Sequence, residues 1–483
     1  MNFDRLHSIN KLNILVFGDF MVDQYIIGNV NRISPEAPVP ILEVENKYSR
    51  LGGAGNVINN LVHLGANVRA MGYFGNDQNG TWIREELEKA GVDTGFLVLL
   101  ESVQTIVKTR LISKNQQFLR LDEEIIADAP DCFYEFTSLR LKEIFKDIVT
   151  LIISDYGKGT VTERLCKILI DYANINNIPV IVDPKGTNYS KYRNATVCTP
   201  NTKELLNVYN SNDSSENIIT KYGQALCEDL NLEYLVLTRS EKGISLFSKS
   251  KDITNFPVVK KDVIDVTGAG DTVVAMLSVS YSLGFSINDS CKLANIAASI
   301  VCSKSGAATL TVNELFDSIN KSGEFKFIDV QSARYLSQMF KDRGKKVVFT
   351  NGCFDLLHAG HLSSLLQAKS FGDILIVAVN SDASIRRIKG EKRPIIDEKN
   401  RIALISSLEC VDYVVLLEEN TPIDLIRIIE PSISVKGRDW ENKYIPEKEI
   451  IESYGGRMEF IDLKTGLSTT NIINKILDEK NVE

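Results

Sequence analysis

Short β-branched runs alternate with segments of helical period along the first part of the chain: NILVFG from Asn13, TLIIS from Thr150, PVIVD from Pro179 and YLVLT from Tyr234. Unbroken apolar runs of this length predict strands buried on both faces, and their wide spacing predicts a parallel sheet covered by helices. VPILEVENKY from Val39 alternates apolar and polar positions instead, which predicts exposed strands forming a lid beside the main sheet. VVAMLSVSYSLGFSI from Val273 predicts a buried helix, too short and too interrupted to span a bilayer. Thr311 and Glu314 have the spacing of a capping box that opens a helix, and INKSGEFKF after them reads as a linker.

From about Ser332 the alternation restarts, with KVVFT at Lys346, ILIVAVNSD at Ile374, YVVLL at Tyr413, SISVKGRDW at Ser432 and MEFIDL at Met458. The expectation is an α/β protein of two doubly wound domains. Residues 1–315 form one with a small β lid, 316–340 a linker and connecting helix, and 341–483 a smaller Rossmann-like domain. No internal repeat or low-complexity segment is present.

The 483 residues are 44% hydrophobic and 24% charged, and the mean hydropathy is −0.05, values of a soluble globular protein. A net charge of −8 argues against a broad grip on nucleic acid or an anionic membrane, either of which needs a basic face. The eight cysteines contain no C-x-x-C, which points to reduced thiols, and the N-terminus carries no signal-peptide pattern. A cytoplasmic enzyme or binder is the expectation.

Residues Asp265 to Asp271 read DVTGAGD ahead of the apolar helix, so the glycines fall at a helix N-terminus, where backbone N–H groups favour anions. Asp271 could take a proton from an attacking hydroxyl while the amides of Gly268, Ala269 and Gly270 neutralise a transferring phosphoryl group. Alone, the same pattern fits an aspartate that merely favours the helix dipole. It is accompanied by LGGAGN from Leu51, where Asn56 could bond a polyol, by Asp19 and Asp23 just after the first strand, by TPNTKE from Thr199, and by Asn295.

DVTGAGD with LGGAGN resembles the two signatures of the ribokinase-type, or phosphofructokinase B, sugar kinases over about residues 11 to 310. The resemblance implies that Asp271 is the catalytic base, that Gly268, Ala269 and Gly270 form the anion hole, and that Gly52, Gly53 and Asn56 line the sugar site; Asp19 and Asp23 join the sugar site by their place after the first strand. It implies ATP binding by Asn201, Thr202, Lys203 and Glu204, with Glu204 organising Mg2+ indirectly, and an adenine pocket bordered by Asn295.

In the second half, NGCFDLLHAGHL from Asn351 holds His358 and His361, two of only four histidines. Three apart on a helix they share a face, and Gly360 between them allows a nucleotide close approach. A metal site with Cys353 lacks an obvious fourth ligand. VKGRDW adds Lys436 and Arg438, and LSTTNII adds Ser468, Thr469 and Thr470 at another helix start. This half resembles the cytidylyltransferase-like nucleotidyltransferases. That implies a nucleotide site of Asn351, Gly352, Phe354 and Gly360, with His358 and His361 stabilising the α-phosphate, Ser468 to Thr470 holding the triphosphate, and Lys436 and Arg438 as clamps.

The fusion, with SPEAPVP at Ser34, SDYGKG at Ser154 and DPKGTNY at Asp183, is similar to the bifunctional heptose 7-phosphate kinase and heptose 1-phosphate adenylyltransferases. The family implies small sugar phosphates and ATP as substrates, and ADP-heptose for lipopolysaccharide core as product. Charge and loop position suggest Lys185, then Arg110 and Arg120, for the 7-phosphate. The exposed lid strands suggest a homodimer through the kinase domain. The nearest alternatives are the same domains acting on another sugar or nucleotide, and a binder that retains the folds without turnover. Intact Asp271, His358 and His361 count against the binder.

Overall fold

The computed structural model describes residues 3–114, 116–258, 263–304, 306, 308–322 and 326–462. The chain divides into two compact units, Ser8–Leu315 and Phe316–Glu483, the second also taking Met1–His7.

The first unit is built on a nine-stranded sheet. Its order is Ile253–Phe256, Ile244–Ser248, Tyr234–Thr238, Val197–Cys198, Val180–Asp183, Thr150–Ser154, Asn13–Gly18, Asn67–Gly75, Asp93–Leu100. The first two pair antiparallel and the rest are parallel. The run ILVF at residues 14–17 is wholly buried because helices cover both faces of its strand. In register Gly18 lies beside Ser154 and Ser154 beside Asp183, so the carboxyl ends of the central strands line one crevice, where α/β sheets place ligands.

The expected lid is a separate four-stranded sheet, ordered Pro40–Gly53, Phe20–Ile33, Ile106–Ser113, Gln116–Glu123. Asp23, Lys108 and Asp122 lie opposite one another across it, as do Tyr25, Arg110 and Arg120, so these six share a face. Tyr25 stacks on Tyr48 at 5.0 Å, and Arg110 stands 5.4 Å over the Tyr25 ring. The apolar region from Val273 is, as expected, a buried helix, Ala269–Ser282, with every residue from 271 to 280 buried.

The second unit has five parallel strands, ordered Tyr413–Leu417, Ile374–Asn380, Val347–Gly352, Ile433–Gly437, Arg457–Ile461. Over 316–340 the chain completes the helix Val312–Ser322, opened by the Thr311–Glu314 capping box, and begins the helix Val330–Asp342. Between them, residues 326–328 lie along the outer strand. The Val414 N–H donates to the Lys326 carbonyl at 2.6 Å, and the Ile328 N–H donates to the Val414 carbonyl at 3.0 Å. Among the described residues no helix is long and apolar enough to cross a membrane.

Candidate active sites

Gly268 caps the helix Ala269–Ser282 at φ 80°, a left-handed conformation that glycine adopts without strain. That turn brings Asp271 into the crevice. The Asn56 side chain donates to Asp271 Oδ2, and the Tyr156 hydroxyl donates to Oδ1 at 2.7 Å. Thr272 and Asn60 tie the two helices beneath: the Thr272 hydroxyl donates to Asn60 Oδ1 at 2.9 Å, and Asn60 Nδ2 donates to the Asn56 carbonyl at 2.9 Å. Burial pushes the Asp271 carboxyl above its ordinary range, while the Tyr156 and Asn56 hydrogen bonds pull it down.

Asp271 opens onto a cavity of about 210 Å³ shared with Asp183, Lys185, Glu204, Gly268 and Gly270. A Cβ on Gly270 would meet nothing within 4 Å, so a phosphate has room there. Ala269 does not line this cavity. Its amide turns to the Val266 carbonyl at 3.2 Å, so of the three expected anion-hole residues only the two glycines face inward.

Asn201 and Glu204 form a capping box on the helix Thr202–Val208, each side chain accepting the other's backbone N–H. The remaining Glu204 oxygen accepts from the Lys185 ammonium at 2.8 Å. Lys185, expected at the sugar phosphate, therefore stands beside the nucleotide motif. Thr202 and Lys203 line a groove outside this helix start. Asn295 is buried and donates to the Pro257 carbonyl at 2.7 Å, bracing the chain beyond Phe256.

Asp19 is wholly buried. It accepts the backbone N–H groups of Tyr156, Lys158 and Thr160 at 2.8, 3.1 and 3.0 Å, which makes it the anchor of that loop. Asp23 instead looks across the lid face and takes the Arg110 guanidinium at 2.5 Å. Gly52 leaves room for it, since a Cβ there would sit 2.6 Å from Asp23 Oδ2. Gly53 holds φ 59°, and a Cβ there would lie 2.3 Å from the Asp19 carbonyl oxygen. Arg120 grips Asp122 with both Nε and Nη2 and is half exposed.

Three participants escape the sequence reading. Tyr156 and Asp183 sit within quoted runs whose residues carry no signature. Burial first, then Asp271 and Glu204, push the Asp183 carboxyl well above its ordinary range. Lys108 is half-buried on the lid face, and burial with Lys158 nearby lowers its ammonium.

In the second unit Asn351 and Gly352 end the strand Val347–Gly352, and His358 caps the helix Ala359–Ser370. Its Nδ1 accepts the Gly360 N–H at 3.1 Å, which leaves the ring proton on Nε2. The His358 and His361 rings stack at 3.9 Å, and Phe354 closes edge-on against His361 at 5.3 Å. Burial, then His358 and Lys389, lower His361 to about 4. Lys436 pairs with Glu447 at 2.7 Å and lies 4.9 Å over the Trp440 ring, and Arg438 pairs with Asp462 at 2.6 Å. Both expected clamps are thus charge-paired. Ser468, Thr469 and Thr470 lie outside the described residues.

The frame of this second site was also not legible. Arg401 is wholly buried and donates to the Cys353 carbonyl, the Asn380 carbonyl and Asp382 Oδ1, each at 2.7 Å. Asp355 accepts the Ile395 and Ile396 N–H groups at 2.7 and 3.1 Å. Together they lock the ends of two central strands to the loop before Asp397. Among the described residues no group of three His, Cys, Asp or Glu could hold a metal ion directly.

Residues 11–314 match the pfkB family carbohydrate kinase model, and 349–475 match the cytidylyltransferase-like model. A bifunctional protein HldE of Geobacter metallireducens is 43% identical over 469 residues, covering 96% of each chain. One of Aliarcobacter butzleri is 40% identical over 474 residues, covering 97% of this chain and 98% of that one. The chain belongs to the bifunctional HldE family. The resemblance read from the motifs, to the fused heptose kinase–adenylyltransferases, is borne out. As a member of the HldE family the chain carries both a sugar kinase and a nucleotidyltransferase.

Solved structures show the kinase fold at low identity. Escherichia coli phosphofructokinase-2 in complex with potassium superposes with a TM-score of 0.54 at 18% identity, covering 65% of this chain and 99% of that one. Arabidopsis thaliana ribokinase complexed with ribose and ATP gives 0.51 at 17%, covering 64% and 98%.

Proposed function

We propose that the first unit transfers the γ-phosphoryl group of ATP to O1 of D-glycero-β-D-manno-heptose 7-phosphate. The second joins heptose 1-phosphate to the adenylyl group of another ATP, giving ADP-heptose and pyrophosphate. The observation that carries this is the pairing, on one HldE-family chain, of a buried Asp271 held by two donors at a glycine turn with a stacked histidine pair at a second glycine turn.

In the kinase, Asp271 takes the proton from O1 as that oxygen attacks phosphorus, and ADP leaves. The Gly268–Gly270 turn and Lys185 meet the charge on the moving phosphoryl group. The carboxylates of Glu204 and Asp183 fit Mg2+ held through water, and the ion would supply charge neutralisation of the ATP phosphates. Lys185 is assigned to the nucleotide side. The 7-phosphate falls to the lid, where Arg110 and Lys108 share the face of Asp23 and Arg120 stands further out.

In the transferase, a phosphate oxygen of heptose 1-phosphate attacks the α-phosphorus while His361 and His358 donate N–H to the α-phosphate and leaving group, with Lys389 near. Removal of the 7-phosphate between the two steps requires a separate phosphatase, so the two sites need not pass product directly. ATP consumption in both steps suits a cytoplasmic enzyme, and the half-exposed Leu119 and Leu121 of the lid favour a homodimer.

The test is incubation with Mg-ATP and heptose 7-phosphate, with and without a bisphosphate phosphatase, followed by mass spectrometry. The 1,7-bisphosphate forms without phosphatase and ADP-heptose only with it. Asp271→Asn abolishes the first product, and His361→Ala suppresses the second step on supplied heptose 1-phosphate. ATP turnover with other sugars but not with this one would replace the substrate and leave the two-site scheme standing.

A further inference from the structure

The loop SDYGKG, residues 154–159, is held far more firmly than a connection between a strand and a helix requires. Asp19 takes the N–H groups of Tyr156 and Lys158 from below, and that of Thr160 just beyond the loop. Asp155 is fixed in turn: it accepts the Gly157 N–H at 2.6 Å, the Tyr192 hydroxyl at 2.5 Å and the Lys191 ammonium. Lys158 pairs with Glu124 at 2.7 Å. Gly157 and Gly159 hold φ of 67° and 104°, and a Cβ on Gly159 would lie 1.8 Å from the Ala127 carbonyl oxygen. Each anchor lies on the loop backbone or on a neighbour of Tyr156, and together they aim one phenol at Asp271.

We infer that Tyr156 is a positioning residue for the kinase base, clamping the Asp271 carboxylate with Asn56 so that a lone pair stays directed into the phosphoryl-transfer cavity. The inference rests on the reading of Asp271 as that base.

Three features support it. The contact is a 2.7 Å hydrogen bond between side chains 115 residues apart. Its polarity is fixed, because burial, and then Asp271 and Asp183, hold the Tyr156 hydroxyl protonated well above its ordinary range, so the phenol donates and the carboxylate accepts. And with Asn56 on the other oxygen, rotation of the carboxylate would break a charge-assisted hydrogen bond at either end. Packing of the ring alone would need no hydroxyl at this place.

The acid limb of the kinase is affected as well. Facing Asp271 are Asp23 from the lid, Asp183 from its strand end, Asp155 beside Tyr156, and the Lys185–Glu204 pair across the cavity. Burial works against ionisation of Asp271, and Tyr156 is the first of the two donors that favour it.

The experiment compares full-length wild type, Tyr156→Phe, Tyr156→Leu and Asp271→Asn, with adenylyl transfer by the same samples reporting an intact chain. Tyr156→Phe is expected to lower kinase kcat by about 10- to 100-fold, the effect of one hydrogen bond to a charged group, with both KM values unchanged. Loss of a donor that favours the carboxylate also moves the acid limb of kcat/KM to higher pH. If Phe matches wild type and only Leu falls, the ring merely packs and the inference is wrong. A rise in sugar KM at constant kcat overturns it too, making Tyr156 a substrate contact. If Asp271→Asn retains turnover, the base assignment fails and this inference with it. If Asp271→Asn is inactive while Tyr156→Phe is normal, the inference alone fails.

Discussion

His361 carries its imidazole neutral through the physiological range, because burial first, and then the neighbouring His358 and Lys389, oppose the proton. Its folded value of about 4 lies below the ordinary 6.5. Between those values the unfolded chain binds a proton that the folded chain refuses, so stability of the second unit falls as pH drops through 6.5 toward 4 and levels off below. With Trp82→Phe leaving Trp440 as reporter, the urea midpoint is expected to be lower at pH 5 than at pH 7, and His361→Asn to flatten the difference. An unchanged slope in that variant assigns the effect to another group. At this scale the sequence was informative where chemistry is advertised by rare residues: Asp271, His358 and His361 stand where their motifs put them. At Asp19 and Lys185 the structure adds partners that the sequence did not name. Nothing local tells that Asp19 bends back to residues 156–160, or that Lys185 finds Glu204.

Among elements, the strands were legible because burial on both faces erases alternation, and the lid because exposure restores it. The loop after Ser154 was not. Its meaning lies in partners as distant as Asp19 and Ala127, and no local pattern records a backbone that passes so close to another. Gly159→Ala adds a Cβ into a carbonyl at a φ that alanine avoids, and is expected to cost the first unit about 3 kcal/mol. In calorimetry the transition of the kinase unit moves down and that of the transferase unit stays. Kinase turnover falls with it because Tyr156 loses its mooring. Equal stability to wild type would mean the loop yields more easily than its hydrogen bonds imply.

For the molecule as a whole, the lid is amphipathic. Arg120 and Asp122 share the face of Asp23, whereas Leu119 and Leu121 point the other way and are about half exposed. A dimer formed through that face is expected from light scattering, and Leu119→Asp with Leu121→Asp should give a monomer. A wild-type monomer across the micromolar range removes the pairing.

The strip of chain at residues 326–328 has a practical corollary for anyone dividing the gene. A transferase fragment begun at residue 341 would strip the outer strand Tyr413–Leu417 of its neighbour and present a raw edge to every other copy in the tube. Starting the fragment at Phe316 keeps the chain's own selvedge in place, and the shorter fragment is the one that should precipitate.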